Sequence, residues 1–347
     1  MRTLSLAVLV LALAVAFGPP AAGPASAQAD EPEVWFAPFP YGFPAAPFQR
    51  GWGSFDAQQA FESSQGWEQA SGRVDVVKFY PGWVQYISPQ ELRAAVQGLK
   101  ARDIAIAVEL PSLQYDDVCG FGVEGFVADP VGQALDILGR IQAAGGSVKY
   151  AALGEPFTFA SSLYRGPQAC SWPVDRIARE VDQFVDAIKR RYPAILVGDI
   201  ENDHPSPQDL VGWMDAYRQV SGENFAFFHL DPDWASRSDW PQRGKVVELA
   251  ARARGIEFGM LYYGEEGDSS DLDWLSSALD HVARYEGEVG GITEDVVFQS
   301  WHRYPRYILP ENEPGTYSWA IDTWAGGGPS LSLSVPGNSG GGTKVAT

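Results

Sequence analysis

Acidic side chains close several apolar runs of this sequence, and Glu155 is the most distinctive of them. It follows Ala151-Ala152-Leu153-Gly154 and precedes Pro156, at the end of a run where no helix is expected to need a cap. Two carboxyl groups facing each other across a groove can cleave a glycosidic bond: one protonates the leaving oxygen, and the other attacks the anomeric carbon or activates water. A separation of about 5 Å gives retention and roughly 6.5 to 9.5 Å gives inversion, and spacing along the chain leaves both open.

Other polar residues stand near the ends of neighbouring runs, so Glu155 has several candidate partners. They are Lys78, Glu109, Asp199, Glu201, His229, Asp231, Glu265 and Glu266. Because side chains of a strand alternate with a period of two, Asp199 and Glu201 should point to one side, and so should His229 and Asp231. We expect these groups to form an acidic ring.

Eight β-rich runs, separated by stretches of about helix length, must position this ring. The runs are 34–39, 74–80, 104–110, 148–153, 195–200, 225–230, 256–263 and 296–301. Most are continuously apolar, as in parallel strands covered on both faces. An open doubly wound sheet would show the same alternation, but an irregular aromatic segment at 38–44 replaces a glycine-rich phosphate loop. The fold predicted is therefore an α/β protein of the (β/α)8 TIM barrel class, with its reactive groups at the strand C-termini.

Helix-start signals support the alternation of strands and helices. Ser88, Ser206 and Ser270 each stand three residues before a carboxylate, and Pro follows directly in the first two cases. Such serines are typical N-caps.

With Glu155 in Gly154-Glu155-Pro156, the chain resembles the large clan of retaining glycoside hydrolases with barrel folds, whose acid/base Glu ends strand four in an Asn-Glu-Pro motif. The resemblance spans about residues 34 to 325. It implies that Glu155 is the acid/base and that Glu265, after Leu261-Tyr262-Tyr263-Gly264, is the nucleophile in preference to Glu266. It also implies that Trp301, at the end of strand eight, forms the floor of a sugar subsite.

Two departures from the clan's pattern bear on these roles. Gly154 stands where the clan has Asn, so the usual partner of the sugar 2-hydroxyl is missing or replaced. Glu201 is a rival second carboxylate to Glu265. A non-catalytic carbohydrate-binding barrel is the alternative function that these departures favour.

Several residues are expected to contact substrate, because they lie at strand ends or in the loops that follow them. They are Lys78, Trp83, Glu109, Asp199, His229, Asp231, Tyr263 and Trp301. Loop aromatic rings such as Trp52, Tyr86, Tyr115, Trp172, Trp234 and Trp240 can stack on sugar faces. Trp67, Trp213 and Trp274 lie inside helical patterns and are expected to pack.

The amino-acid composition argues against some classes of binding partner and favours others. The net charge of −19 argues against nucleic acid and anionic membrane surfaces. This negative charge, combined with 13% aromatic residues, suits the binding of an uncharged or weakly charged sugar. We expect no cofactor. A metal-dependent hydrolase is the least favoured alternative, since no compact two-histidine motif occurs. Its metal ligands would come from Asp199, Glu201, His204, His229 and Asp231.

The N-terminal sequence predicts that the protein is exported. Residues 1–29 read as a signal peptide, with an apolar run from Leu4 to Phe17 and small residues before Asp30. We expect one barrel domain at 30–325, a disordered Gly/Ser-rich tail at 326–347, and a monomer without membrane attachment after cleavage. Cys119 and Cys170 fall in loops after strands three and four, which are neighbours, so a disulfide is expected in an oxidising compartment.

Overall fold

Eight parallel strands close into a barrel in this computed structural model, which describes residues 31–42, 51–235 and 237–326. We number them β1 to β8: Glu33–Ala37, Val76–Phe79, Ala105–Leu110, Val148–Gly154, Leu196–Asn202, Phe227–Asp231, Glu257–Tyr262 and Asp295–Gln299. Each strand pairs with its neighbours in chain order, and β8 pairs with β1 to complete the ring. The predicted (β/α)8 TIM barrel is confirmed. The predicted leader and the predicted tail beyond Gly326 lie outside the described residues.

Helices cover the outside of the barrel. The α-helices are Ala57–Glu62, Glu68–Ser71, Pro81–Tyr86, Pro89–Ala101, Pro130–Ala143, Pro156–Ala160, Val174–Arg191, Pro207–Ser221, Trp240–Arg252, Asp271–Val282 and Tyr317–Ala325, and a π-helical turn spans Ala283–Glu288. Two short strands, Leu113–Gln114 and Phe126–Val127, pair within the loop after β3. Among the described residues, no helix combines the length and apolarity that a membrane span requires.

The predicted helix starts are present. Ser88 and Ser206 form complete capping boxes with Glu91 and Asp209, and the Ser270 hydroxyl accepts from the backbone N–H of Asp273. These bonds satisfy N–H groups that a helix leaves without internal partners. The apolar faces of the helices can then pack on the sheet with defined starting points.

The lower barrel interior is filled by an aromatic and ionic cluster. Trp35 packs against Tyr150 and Phe227 with ring centroids 4.8 and 5.1 Å apart. His229 Nε2 lies 2.9 Å from one Asp295 carboxylate oxygen, and Trp35 Nε1–H donates to the other at 3.0 Å. His229 was predicted to contact substrate, but it is fully buried in this cluster. Burial also lowers the pKa of His229 and so favours its neutral form, against the opposing effect of Asp295.

The disulfide expected between Cys119 and Cys170 is present, with Cα atoms 5.0 Å apart. It joins the loop after β3 to the loop after β4 across 51 residues of sequence. The two loops that flank Glu155 are therefore covalently tied.

Candidate active site

A cavity of about 810 Å³ opens at the C-terminal ends of the strands. Carboxyl and aromatic side chains from loops and strand ends line it. Ligand sites of barrel enzymes are built at this face, and the volume falls within the range of small-molecule sites.

Glu155 lies in this cavity in a strained backbone conformation. Its φ and ψ of 51° and 43° are left-handed, and its N–H donates to the carbonyl of Ile200 at 2.9 Å. Contrary to the sequence expectation, a short helix, Pro156–Ala160, begins directly after it, but the Glu155 side chain makes no capping bond. A non-glycine residue in this region costs of order 1–3 kcal/mol, and such residues cluster at functional sites.

The surroundings of Glu155 raise the pKa of its carboxyl and so favour the protonated form. The residue is only 8% exposed, and this burial is the main reason that its pKa lies well above the ordinary range. Negative charge on Glu124, Asp231 and Glu201 raises the pKa further, while a hydrogen bond with Asn202 opposes the rise. A carboxyl that keeps its proton near neutral pH can act as a general acid.

Glu201, the rival second carboxylate, lies outside the cavity lining and is engaged with the short helix. Its two carboxylate oxygens accept the backbone N–H groups of Phe157 at 2.7 Å and Thr158 at 3.0 Å, and the Thr158 hydroxyl at 2.6 Å. Burial raises its pKa to about 7, against these hydrogen bonds. Glu201 thus caps the helix that follows Glu155 and is a positioning residue rather than a partner acid.

Asp199 shares this orientation. The alternation of side chains along β5 does place Asp199 on the same side as Glu201, as predicted, but that side of the strand faces the helices. Trp213 Nε1–H donates to Asp199 Oδ2 at 2.6 Å, and Asp199 is fully buried. The residues that β5 directs into the cavity are Ile200 and Asn202. The expectation that Asp199 contacts substrate is therefore wrong.

Lys78 and Glu109 form an ion pair at the edge of the cavity. Lys78 is fully buried, and its Nζ lies 2.5 Å from Glu109 Oε2. Glu109 lines the cavity whereas Lys78 does not. A Cβ placed on Gly154 would lie 3.5 Å from Glu109 Oε1. Glu109 thus faces the position where the clan has Asn, and it is the polar group available there.

Asp231 and Tyr263 both line the cavity, and they lie close enough to interact. Burial raises the pKa of Asp231 to about 8, although a hydrogen bond with Tyr263 partly offsets the rise. The hydroxyl proton of Tyr263 is donated to the carbonyl of Pro232. The cavity therefore brings a second poorly ionised carboxyl close enough to Glu155 to raise its pKa.

Glu265 lines the same cavity from the segment beyond β7, where its side chain is 44% exposed. His281 Nε2 lies 3.2 Å from Glu265 Oε1, and His281 Nδ1 lies 2.9 Å from the carbonyl of Tyr263. Since a carbonyl only accepts, Nδ1 carries the proton in neutral His281. His281 donates to Glu265 only in its doubly protonated form, which burial disfavours by lowering the pKa of His281.

Glu124 is a cavity residue that sequence reasoning missed. It lies in the loop after β3, beyond the reach of strand periodicity, and its one signal is an isolated acid between Gly122 and Gly125. The residue as a whole is solvent-exposed, yet the surrounding protein and the charge of Glu109 raise the pKa of its carboxyl.

Aromatic side chains supply the apolar walls. Trp52, Tyr86, Trp234 and Trp301 line the cavity, as does Trp274, which was expected only to pack and which stacks on His302 at 4.9 Å. Tyr115, Trp172 and Trp240 do not line it.

Trp83 was expected to contact substrate but belongs to the packing layer. It lies in Pro81–Tyr86, a helix that begins directly after β2, and is 5% exposed. Its ring packs against Phe79 and Phe61, with centroids 4.6 and 5.3 Å away. It does not line the large cavity.

The candidate metal ligands are dispersed. Asp199 and Glu201 face the helices, His229 lies in the barrel interior, and only His204 and Asp231 line the cavity. Within residues 31–42, 51–235 and 237–326, no three acidic, histidine or cysteine side chains are grouped as a metal site would need.

Comparison with known proteins shows the fold alone. No protein-family model matches the sequence, and no curated protein is significantly similar. A fungal β-1,4-galactanase structure is similar with a TM-score of 0.50 and 12% identity, covering 74% of this chain and 90% of its own. The GH53 catalytic domain of Ignisphaera aggregans gives 0.44, with 11% identity and coverage of 72% and 80%. A D-psicose 3-epimerase gives 0.38, with 11% identity and coverage of 84% and 90%.

Proposed function

We propose that this protein is an exported glycoside hydrolase in which Glu155 is the general acid. The observation that carries the proposal is a buried carboxyl of raised pKa, held in a left-handed backbone conformation, in a large cavity at the catalytic end of the barrel. Protonation of a leaving glycosidic oxygen requires such a group. Export is supported by the leader-like N-terminal sequence and by the disulfide.

Glu265 is the proposed second carboxylate, the nucleophile or the base. It lines the same cavity and is partly solvated, and the only polar side-chain contact described for it is His281 Nε2 at 3.2 Å. Asp231 suits this role less well, because its pKa of about 8 keeps it protonated when an attacking carboxylate must be ionised. Glu201 is excluded from the role by its three bonds to the short helix.

Substrate would bind along the aromatic walls. Trp52 and Trp301 present rings to the cavity, and such rings stack on the apolar faces of pyranoses. Asn202 and Glu109 stand beside Glu155, where they can accept or donate hydrogen bonds to sugar hydroxyls. These contacts would orient the glycosidic oxygen toward the Glu155 proton.

A non-catalytic carbohydrate-binding barrel is the second candidate. Tyr263 is the residue that follows the last residue of β7 and faces the cavity, and Glu265 comes two positions later. If that displacement leaves Glu265 too far from Glu155, the aromatic cavity would bind sugars without cleaving them.

Hydrolysis of a polysaccharide panel by the purified protein tests the proposal. Glu155→Gln should lower kcat by about 10²–10⁴-fold, the usual contribution of a general acid. Glu265→Gln should lose a similar factor, and Glu266→Gln should lose less. Asp186→Asn, on the exposed face of Val174–Arg191, serves as the control for charge removal. Cleavage that is unchanged in Glu155→Gln contradicts the proposal, and binding without cleavage favours the second candidate.

A further inference from the structure

The charge of the cavity is strongly one-sided. Seven carboxyl side chains line it, and no Lys or Arg of the described chain does. Lys78, which does not line the cavity, is fully buried and is already paired with Glu109 at 2.5 Å. Bringing this many carboxyls together disfavours their ionised forms, and a positively charged ligand would relieve that cost.

An unpartnered acceptor also marks the cavity. Gln299, the last residue of β8, is 4% exposed and lines the cavity, and its Oε1 has no hydrogen-bond partner among the described residues. A buried amide oxygen without a donor costs about 1–3 kcal/mol. A ligand N–H or O–H group reaching the end of β8 would satisfy it.

The aromatic walls are compatible with a cation. Trp52 and Trp301 line the cavity together with the carboxyls, so a bound ammonium group would meet both negative charge and the faces of aromatic rings. Ring faces attract cations, most strongly those of Trp. The same rings stack on sugars, so the two kinds of recognition coincide in one site.

We propose that the substrate carries free amino groups, as an oligosaccharide of unacetylated hexosamine units does. This inference rests on the proposed carbohydrate function and names its substrate class. The ammonium groups lie among the cavity carboxyls, and an exocyclic amino or hydroxyl group of the sugar donates to Gln299. Polymers of uronic acids would be repelled by the same cavity.

Cation binding should displace protons. Burial raises the pKa of Asp231 to about 8, and the surrounding protein together with the charge of Glu109 raises the pKa of Glu124. A neighbouring ammonium group favours the ionised carboxylates, so both groups release protons as ligand binds. An N-acetylated sugar, which has no such charge, would leave the protons in place.

Isothermal titration calorimetry of the full chain tests the proposal. The probes are tetramers of glucosamine and galactosamine, their N-acetylated counterparts, and a tetramer of galacturonic acid, each at pH 6 in two buffers of different ionisation enthalpy. We expect at least one amine tetramer to bind ten-fold or more tightly than its acetylated form, with proton release to buffer. Glu124→Gln and Asp231→Asn should each reduce that preference several-fold, and Asp186→Asn should leave it unchanged.

The outcomes separate this inference from the proposed function. Equal or tighter binding of the acetylated tetramers overturns the amine preference, even if the protein cleaves neutral sugars through Glu155. Amine-selective binding without any Glu155-dependent cleavage supports the ligand class and overturns the hydrolase. A preference that survives in both cavity variants also overturns the inference, because the cavity charge would then not cause it.

Discussion

The backbone of Gly125 lies directly against the carbonyl oxygen of Gly154. A Cβ at position 125 would come within 2.8 Å of that oxygen, and the φ of Gly125 is +77°. Only glycine fits both conditions without strain. This contact brings the loop that carries Glu124 against the end of β4, immediately before Glu155, and thereby explains why the charge of Glu124 acts on Glu155.

Gly125→Ala should destabilise the protein by about 2 kcal/mol or more, because it combines a left-handed backbone with a close contact. Gly122→Ala is the matched control, since Gly122 has a similar φ of +73° but open space where a Cβ would lie. Thermal unfolding of the two variants checks the prediction. Equal losses of stability would show that the contact with Gly154 does not matter.

Stability should fall as pH rises from mildly acidic to mildly alkaline values. The carboxyls of Asp231 and Glu201 have pKa values of about 8 and 7 in the folded chain, against ordinary values of 3.8 and 4.5. The folded state therefore binds more protons than the unfolded state between these limits, and its stabilisation is lost as pH rises through the folded values.

Thermal unfolding between pH 5 and pH 9 measures this effect. We expect the Tm to drop by on the order of 5 °C or more across the interval. Asp231→Asn, which cannot ionise, should flatten the upper part of the curve. A Tm that rises across this range in the unmodified protein contradicts the assignment of buried protonated carboxyls.

Glu201→Gln should destabilise the turn at Glu155. The amide keeps one acceptor but places an N–H₂ group opposite N–H donors, so at least one hydrogen bond is lost and a buried donor is left without a partner, at a cost of about 1–3 kcal/mol. Asp209→Asn alters an exposed capping box in Pro207–Ser221 and should cost less than about 1 kcal/mol. Denaturant unfolding compares the two, and a Glu201 variant as stable as the Asp209 variant would refute the capping role.

Removal of the disulfide should destabilise the protein by up to about 4 kcal/mol, the loop-entropy value for a closed loop of 51 residues. A Cys119→Ser, Cys170→Ser double variant avoids a free thiol. Urea unfolding of oxidised and double-variant protein measures the difference. Coincident unfolding curves would mean that the loops after β3 and β4 are held by packing alone.

Strand positions could be read from the sequence because barrel strands are continuous apolar runs. Each predicted run overlaps an observed strand, and its bounds differ by two residues or fewer. The same property conceals which side chains point into the barrel, because a strand that is buried on both faces shows no alternation of polar and apolar residues. The alternation of side chains along a strand therefore grouped Asp199 with Glu201 correctly, but it could not show that both face the helices. Glu155 could be identified from the sequence because it directly follows a strand and stands between Gly154 and Pro156.

Loop residues were less accessible to sequence reasoning. Trp83 was expected at a strand end or in the loop that follows, but a helix starts at Pro81, and the Trp83 ring is buried among packed side chains. Glu124 belongs to a long loop whose path depends on the disulfide and on Gly125, and neither constraint has a periodic signature. Tertiary contacts, rather than local propensity, place these two side chains.

The protonation state of Glu155 tests the central claim most directly. Carbon-13 NMR of the Glu155 side-chain carboxyl, assigned by its loss in Glu155→Gln, can be followed from pH 4 to pH 9 without a substrate. We predict a carboxyl that titrates well above the ordinary range of a glutamate, and at lower pH in Glu124→Gln than in the unmodified protein. A Glu155 carboxyl that titrates within or below that ordinary range in the unmodified protein would contradict its role as the general acid.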